Sequence, residues 1–153
     1  MKKLVILMIC LLGTLAASAQ VTRVKLAKDT SEKPLLIIND AIIAGESELK
    51  VIPKNSISEM EIIKDKSVGT KNLFADHENP GLLFLTVQDE FVTKSQSEVN
   101  EFFGLDSKID VYINGYLVEN KKLKILSRSI DKVEIMEKDQ LRLKTAVLNI
   151  SLI

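Results

Sequence analysis

Residues 34–43 read PLLIINDAII, an apolar run that a single polar dipeptide interrupts. β-Branched residues behind a bounding proline favour a β-strand over a short helix. Asn39-Asp40 is a typical turn signal, and Ala41-Ile42-Ile43 continues the apolar pattern after it. The segment therefore predicts a strand, a turn and a second strand.

A similar pattern recurs near the end of the chain. The matched segments are 38–43 with 113–118, 56–62 with 129–135, and 81–86 with 146–151. All three matches keep their order, which indicates an internal duplication. One unit has too little apolar surface to close a core alone. The sequence thus predicts an α+β fold of two pseudo-repeated β-α-β-β units, at residues 34–92 and 108–153.

A linking helix is predicted between the two units, near residues 95–103. Ser95 or Ser97 can cap its first turn, and Glu98 lies where the helix dipole favours an acidic side chain. Gly104 follows as a stop signal. The helix is therefore expected to connect the units.

Two predictions concern aromatic and apolar packing. Phe102 and Phe103 end the predicted helix, and we expect them to pack against a sheet rather than to form a ligand site. Leu73 and Phe74 lie within the polar loop at residues 65–80, and we expect them to attach the middle of that loop to the core.

The first residues predict export. Lys2 and Lys3 precede an apolar run at residues 4–15, and small residues follow at 17–19, where a signal peptidase reads the chain. The apolar run is too short to span a bilayer, which needs roughly 20 residues. We expect residues 1–19 to be a cleaved signal peptide, with the remainder secreted across the inner membrane to the periplasm or outer membrane.

The expected mature chain is nearly balanced in charge. Removal of Lys2 and Lys3 from the 21 basic residues leaves 19 against 21 acidic ones, a net charge of −2. This balance argues against a nucleic-acid binder, which would show a basic excess. Cys10 follows Ile9, which is not the small residue that lipid attachment needs, so the mature chain is expected to hold no cysteine and no disulfide. Residues 20–33 are polar and are predicted to form a flexible N-terminal segment.

Three segments resemble the plug domain of TonB-dependent outer-membrane receptors. Such plugs carry P-L-x-x-I-D-G, then N-x-x-D-I-E-S-I-E-V-L-K-D-A-S, then Y-G-S-R-G-A-N-G-V-I-L-I-T. The matching segments here are PLLIIND at 34–40, SISEMEIIKDKS at 56–67 and FADHENPGLLFLT at 74–86. The resemblance covers residues 34–87 and, more faintly, 109–153. It implies a plug-like domain across residues 34–153 that recognises an envelope protein without catalysis.

The sequence also departs from the plug pattern. Asp40 stands where the I-D-G turn has glycine, although Gly115 holds the matching place in the second unit. The glycine-rich loop keeps only Gly81, and residues 76–80 (DHENP) stand in place of its flexible backbone. No run of barrel strands follows, and we therefore expect a free-standing plug-like domain with no transmembrane segment in the mature chain.

Two segments are candidate partner-binding sites. In plug-bearing receptors the coupling segment precedes the plug, and residues 21–24 lie in that region as an extended segment suited to strand addition. The same residues could instead form a first strand or a tail. The second candidate is the polar loop at residues 76–78. The candidate contact residues are Val21, Thr22, Arg23, Val24, Asp76, His77 and Glu78.

The enzyme alternative centres on His77, the only histidine. A hydrolytic triad needs a nucleophile, yet no serine lies in a G-x-S-x-G motif and the mature chain has no cysteine. Zinc usually takes three or four ligands, whereas oxygen atoms of Asp76, Glu78 and Asn79 could hold a hard cation. We predict a solvated turn there, with no enzyme activity and no cofactor. The alternatives are a small metal-dependent or hydrolytic enzyme using His77, and a structural or assembly protein of the envelope using an exposed sheet edge.

Overall fold

The computed structural model describes residue 26 and residues 34–63, 73–74, 81–139 and 143–153. Within these residues the chain forms ten β-strands and one α-helix. The strands are β1 (Leu35–Ile38), β2 (Ile42–Ala44), β3 (Ile57–Ile63), β4 (Leu82–Val87), β5 (Thr93–Ser95), β6 (Val111–Ile113), β7 (Tyr116–Leu117), β8 (Lys124–Leu126), β9 (Ile130–Met136) and β10 (Val147–Leu152). The helix, α1, spans Gln96–Phe102, and short 3₁₀ turns lie at Glu46–Lys50, Lys54–Ser56 and Ser127–Ser129.

The strands form two mixed sheets. The first has the order β3-β4-β1-β2-β8-β5 and the second the order β7-β6-β10-β9. In the first sheet β1 runs antiparallel to β2 and parallel to β4, and β3 runs antiparallel to β4. Strand β8 then joins parallel to β2, and β5 joins antiparallel to β8. Strands from later in the chain therefore complete the first sheet.

The predicted α+β fold of two β-α-β-β units is wrong. The described chain is mostly β, and its one α-helix lies between the two halves rather than inside either of them. The expected helices of the units are the 3₁₀ turns Lys54–Ser56 and Ser127–Ser129. A segment of three residues closes only i to i+3 bonds, as the Ser56 N–H does with the Pro53 carbonyl at 3.0 Å. Among the described residues, each half is therefore built from strands joined by turns and short 3₁₀ segments.

The two halves nevertheless pair their strands in one order. Strand β6 runs antiparallel to β7 and parallel to β10, and β9 runs antiparallel to β10. These are the pairings that β1 makes with β2 and β4, and β3 with β4. A register shift also falls at matching places, where Ile57 opposes Val87 and Ile130 opposes Leu152. The origin of the halves by duplication stays a prediction.

Both hairpin turns place asparagine in the left-handed region. Asn39 has φ 53° and Asn114 has φ 49°, and the residues after them, Asp40 and Gly115, have φ 56° and 81°. Two successive positive φ values match the twist of tight hairpin turns, and the connection has two residues between β6 and β7 and three between β1 and β2. The turns predicted at these dipeptides are therefore present.

One apolar core joins the two sheets. It takes Leu35, Ile37 and Leu82 from the first sheet, and Ile113 and Ile150 from the second, together with other buried side chains. A second cluster lies on the outer face of the first sheet, around Leu36, Ile38, Leu85 and Leu126. A third, smaller cluster on the second sheet groups Tyr112, Leu117, Leu143 and Val147, with Leu26 packed against it.

Helix α1 begins with a capping box. The Ser95 hydroxyl accepts a hydrogen bond from the Glu98 N–H at 3.2 Å, and the Glu98 carboxylate accepts one from the Ser95 N–H at 2.7 Å. The expected packing of Phe102 is wrong, since that side chain is 83% exposed, and Phe103 is 37% exposed. The helical period places Gln96, Val99 and Asn100 on the buried face, and Phe102 points away from it.

Candidate functional site

The predicted contact residues lie outside the described part of the chain. This holds for Val21, Thr22, Arg23 and Val24, and for Asp76, His77 and Glu78. The proposed hard-cation ligand Asn79 also lies outside it. The enzyme and coupling hypotheses therefore stay predictions, and the description below concerns the surfaces that the structure shows.

The described neighbours of both segments contact one hairpin, β6–β7. The Leu26 N–H donates to the Gly115 carbonyl at 3.2 Å. Phe74 is buried, bridges to Val118 and packs edge-on against the Tyr116 ring at 6.4 Å. The predicted attachment of Phe74, and of buried Leu73, to the core is therefore confirmed.

Strand β3 forms one edge of the six-stranded sheet. Within the described residues it pairs only with β4. An edge strand presents a row of unpaired N–H and carbonyl groups, which can accept a strand from another chain. With seven residues, β3 is much longer than β5, the three-residue strand at the opposite edge.

The two faces of β3 differ in chemistry. Met60 and Ile62 lie opposite Leu85 and Leu83 on the outer face and are 49% and 55% exposed. Glu59 and Glu61 point to the other face, the side of the shared core. A strand added here would thus meet apolar side chains on one face and carboxylates on the other.

The carboxylates line a cleft of about 170 Å³ beside the β3 edge. Its lining comes from β1, β3, β4 and the first hairpin turn, and consists of Ile37, Asp40, Glu59, Glu61, Phe84, Leu85 and Thr86. In the described part of the chain, no hydrogen bond or ion pair engages the side chains of Glu59 and Glu61. Among the described residues, Glu59 and Glu61 therefore bring two unpaired carboxylates to the cleft.

The geometry of this cleft does not make it a metal site. Across residues 34–63, 73–74, 81–139 and 143–153, no group of three or more His, Cys, Asp or Glu side chains could hold a metal ion. The cleft is instead a negatively charged groove along β3. Such a groove attracts cationic side chains.

Strand β9 offers a comparison, because it is also a seven-residue strand at a sheet edge. Two of its charged side chains are paired, since Lys132 Nζ lies 2.7 Å from Glu134 Oε1. A lysine on an edge strand also discourages pairing with another chain. Glu59 and Glu61 take the places in β3 that Lys132 and Glu134 take in β9. The β3 edge is therefore the more receptive of the two.

The buried carboxylate of Glu48 has a structural role. Glu48 is 3% exposed and accepts hydrogen bonds from Arg128 Nε and Nη2 at 2.9 and 2.7 Å, and from the Ser129 hydroxyl at 3.2 Å. The Arg128 guanidinium also lies over the Phe91 ring at 5.9 Å. Because its oxygen atoms are engaged, Glu48 joins the first 3₁₀ turn to the β8–β9 connection rather than forming an open site.

The motifs and repeats in the sequence do not single out the β3 edge, and an exposed sheet edge was expected only in the structural or assembly alternative. The available signal was the alternation of Glu59-Met60-Glu61-Ile62, which predicts opposite chemistry on the two faces of one strand. Whether a strand lies at the edge of a sheet depends on its pairing with strands far away in the sequence, which no local pattern reveals.

Comparisons with known proteins add no relative. No family model matches the chain, and neither a curated protein nor a solved structure matches it. Among the described residues, the chain forms no helix with the length and apolar character needed to cross a membrane. The resemblance to receptor plugs thus depends on the motifs quoted above.

Proposed function

We propose that this chain is an exported, non-enzymatic interaction module of the cell envelope that binds an extended segment of another envelope protein along β3. The observation that carries the proposal is the open edge of β3, which pairs only with β4 among the described residues. Its outer face also exposes Met60 and Ile62.

Strand addition suits such an edge for a physical reason. Backbone hydrogen bonds supply affinity, and alternate side chains supply specificity. Each bond contributes about 0.5–1.5 kcal/mol net, so several bonds along a seven-residue strand add up to useful affinity. Exposed apolar side chains on the same strand add burial when a partner covers them.

The sequence supplies the cellular setting of the proposal. Residues 1–19 have the charge, apolar run and small residues of a signal peptide. The plug-like motifs at residues 34–87 favour partner recognition rather than catalysis. An envelope protein in the periplasm or at the outer membrane is therefore the expected partner.

Site-specific photo-cross-linking in the native host tests the proposal. p-Benzoylphenylalanine replaces Ile62 on β3 or, as the matched control, Ile135 on β9, which is 42% exposed on an edge strand of equal length. We expect position 62, and not position 135, to form an adduct with an envelope protein that mass spectrometry identifies. Equal adducts at both positions, no adduct at position 62, or a cellular protein that retains Met1 would overturn the proposal.

A further inference from the structure

We infer that the segment bound by β3 is basic, with cationic side chains at alternate positions facing Glu59 and Glu61 and apolar side chains at the positions between. The inference rests on the proposed function and names the chemistry of its partner. It follows from the register, charge and exposure of the strand.

The register determines which side chains meet. From Glu59 to Ile63 the pairing with β4 is regular, so Glu59 and Glu61 share one face, and Met60 and Ile62 share the other. Side chains directly opposite each other on neighbouring strands lie about 4.5–5.5 Å apart at their Cβ atoms. Every second residue of an added strand therefore comes within ion-pair range of a β3 carboxylate.

The negative charge of Glu59 and Glu61 determines which side chains the bound segment carries opposite them. Within the described residues Glu59 and Glu61 have no side-chain partner, and both line the same cleft. An acidic strand would bring like charges together, which is destabilising, whereas lysine or arginine would form opposite-charge pairs. The cleft also gives long basic side chains room beside the strand.

The same charges disfavour a second copy of this chain as the occupant. Antiparallel pairing of two β3 strands centred on Met60 would set Glu59 of each copy against Glu61 of the other. Pairing centred on Glu61 would set that residue against itself. Like charges directly opposite each other oppose association. The structure therefore favours a different, basic chain.

Peptide binding to the purified exported protein tests this chemistry. The probe is a fluorescent, end-blocked peptide of alternating lysine and valine, and binding is followed by anisotropy. Two further peptides serve as comparisons: one with glutamate in place of lysine, and one with the same lysines and valines in two blocks. We expect only the alternating basic peptide to bind with measurable affinity. Raising the salt from about 50 to about 500 mM should weaken its binding, because exposed charges are screened.

Charge-neutralising variants of β3 and β9 show which strand binds the peptide. The double change Glu59→Gln with Glu61→Gln should weaken binding about two- to fivefold for each carboxylate, as expected for exposed ion pairs. The matched change on β9, Lys132→Gln with Glu134→Gln, should leave binding unchanged. Melting temperatures of both variants show whether the fold is retained, since all four side chains lie on edge strands.

The outcomes separate this inference from the proposed function. Equal binding of the glutamate peptide at β3 overturns the basic partner and leaves strand addition standing. Failure of the basic peptide to bind at low salt, or unchanged binding in the β3 double variant, also overturns the inference. An adduct that joins position 62 to a second copy of this chain would replace the basic partner with that second copy. Failure of strand addition itself would appear in the cross-linking experiment, as an absent adduct at Ile62.

Discussion

The side-chain amide of Asn39 forms two hydrogen bonds with the backbone of Val87. Its Nδ2 donates to the Val87 carbonyl at 2.9 Å, and its Oδ1 accepts from the Val87 N–H at 2.8 Å. The turn between β1 and β2 is thereby tied to the end of β4. In the second half, Asn114 Oδ1 accepts from the Leu152 N–H at 2.8 Å, which ties the matching turn to the end of β10.

Substitution of Asn39 should measure how much these two hydrogen bonds contribute to the free energy of unfolding. Asn39→Gly keeps the positive φ accessible and removes both bonds, so the free energy of unfolding should fall by about 1–3 kcal/mol. Asn39→Ala should cost about 1 kcal/mol more, because a Cβ strains the left-handed conformation. Urea unfolding followed by circular dichroism gives both values. A glycine variant as stable as the wild type would show that the two bonds contribute nothing net.

The Glu48–Arg128 pair should be more sensitive to loss of the arginine than to neutralisation of the glutamate. Arg128→Ala leaves a buried carboxylate without its cation, which should cost about 3 kcal/mol. Glu48→Gln keeps the shape and should cost less, because the Arg128 side chain is 52% exposed and can be hydrated.

An exposed ion pair provides the control for that prediction. Lys121 Nζ lies 2.8 Å from Asp110, with both side chains about half exposed, so Lys121→Ala should cost under about 1 kcal/mol. Chemical denaturation of the three variants ranks them. Equal losses for Arg128→Ala and Lys121→Ala would contradict a buried, structurally important pair.

Two glycines should respond differently to alanine. A Cβ at Gly45 would overlap the main chain of Ile153, although the φ of −83° at Gly45 suits any residue. Gly45→Ala should therefore displace Ile153, disturb its hydrogen bond from the Ser47 hydroxyl, and cost about 1–3 kcal/mol. Gly104→Ala meets no atom within 4 Å and should cost about 1 kcal/mol through its φ of +72° alone.

The amide resonance of Ile153 distinguishes crowding at Gly45 from the strained φ at Gly104. The crowding predicted for Gly45→Ala should shift the amide resonance of Ile153, whose N–H donates to the Ser129 carbonyl at 3.1 Å. The Gly104→Ala variant should leave that resonance in place. An unchanged Ile153 resonance in Gly45→Ala would contradict the close approach.

The capping box should make part of the stability depend on pH. Hydrogen bonds from the Ser95 N–H and hydroxyl hold the pKa of Glu98 below its ordinary value of 4.5. A carboxyl whose pKa is lowered by folding stabilises the fold above its unfolded pKa, and this contribution is lost as pH falls through the folded pKa. Glu98→Gln should therefore be less stable than the wild type at pH 7, with the difference disappearing well below pH 4.5.

Melting temperatures across a pH series test this behaviour. Glu101→Gln, in the same helix but outside the capping box, is the matched control, and its difference from the wild type should not follow the same course. A Glu98→Gln difference that stays constant from pH 7 to acid would contradict the role assigned to the Ser95 bonds.

Elements with strong local signals were predictable from the sequence. The dense apolar runs gave β1 and β4, and the Ser95 and Glu98 spacing gave the start of α1. These features depend on side chains that lie within a few residues of one another, so the chain itself reveals them.

Non-local pairing was not predictable in the same way. The segment Lys124–Leu126 forms β8 and pairs with β2, far away in the sequence. Three residues carry too little pattern to define a strand, and burial in a sheet decides the conformation. The edge position of β3, and with it the candidate site, has the same origin. The predicted packing of Phe102 against a sheet was wrong because the seven-residue helix α1 buries only a narrow face, and Phe102 lies outside it.

Hydrogen exchange of the β3 amides tests the central claim most directly. In the free protein, alternate backbone N–H groups of Ile57–Ile63 should exchange quickly, because their edge side has no described partner. With the alternating lysine–valine peptide added, those same amides should become protected, while the amides of β9 stay unchanged. Protection confined to β9 or α1, or exchange in β3 that is indifferent to a bound peptide, would contradict recognition along this edge.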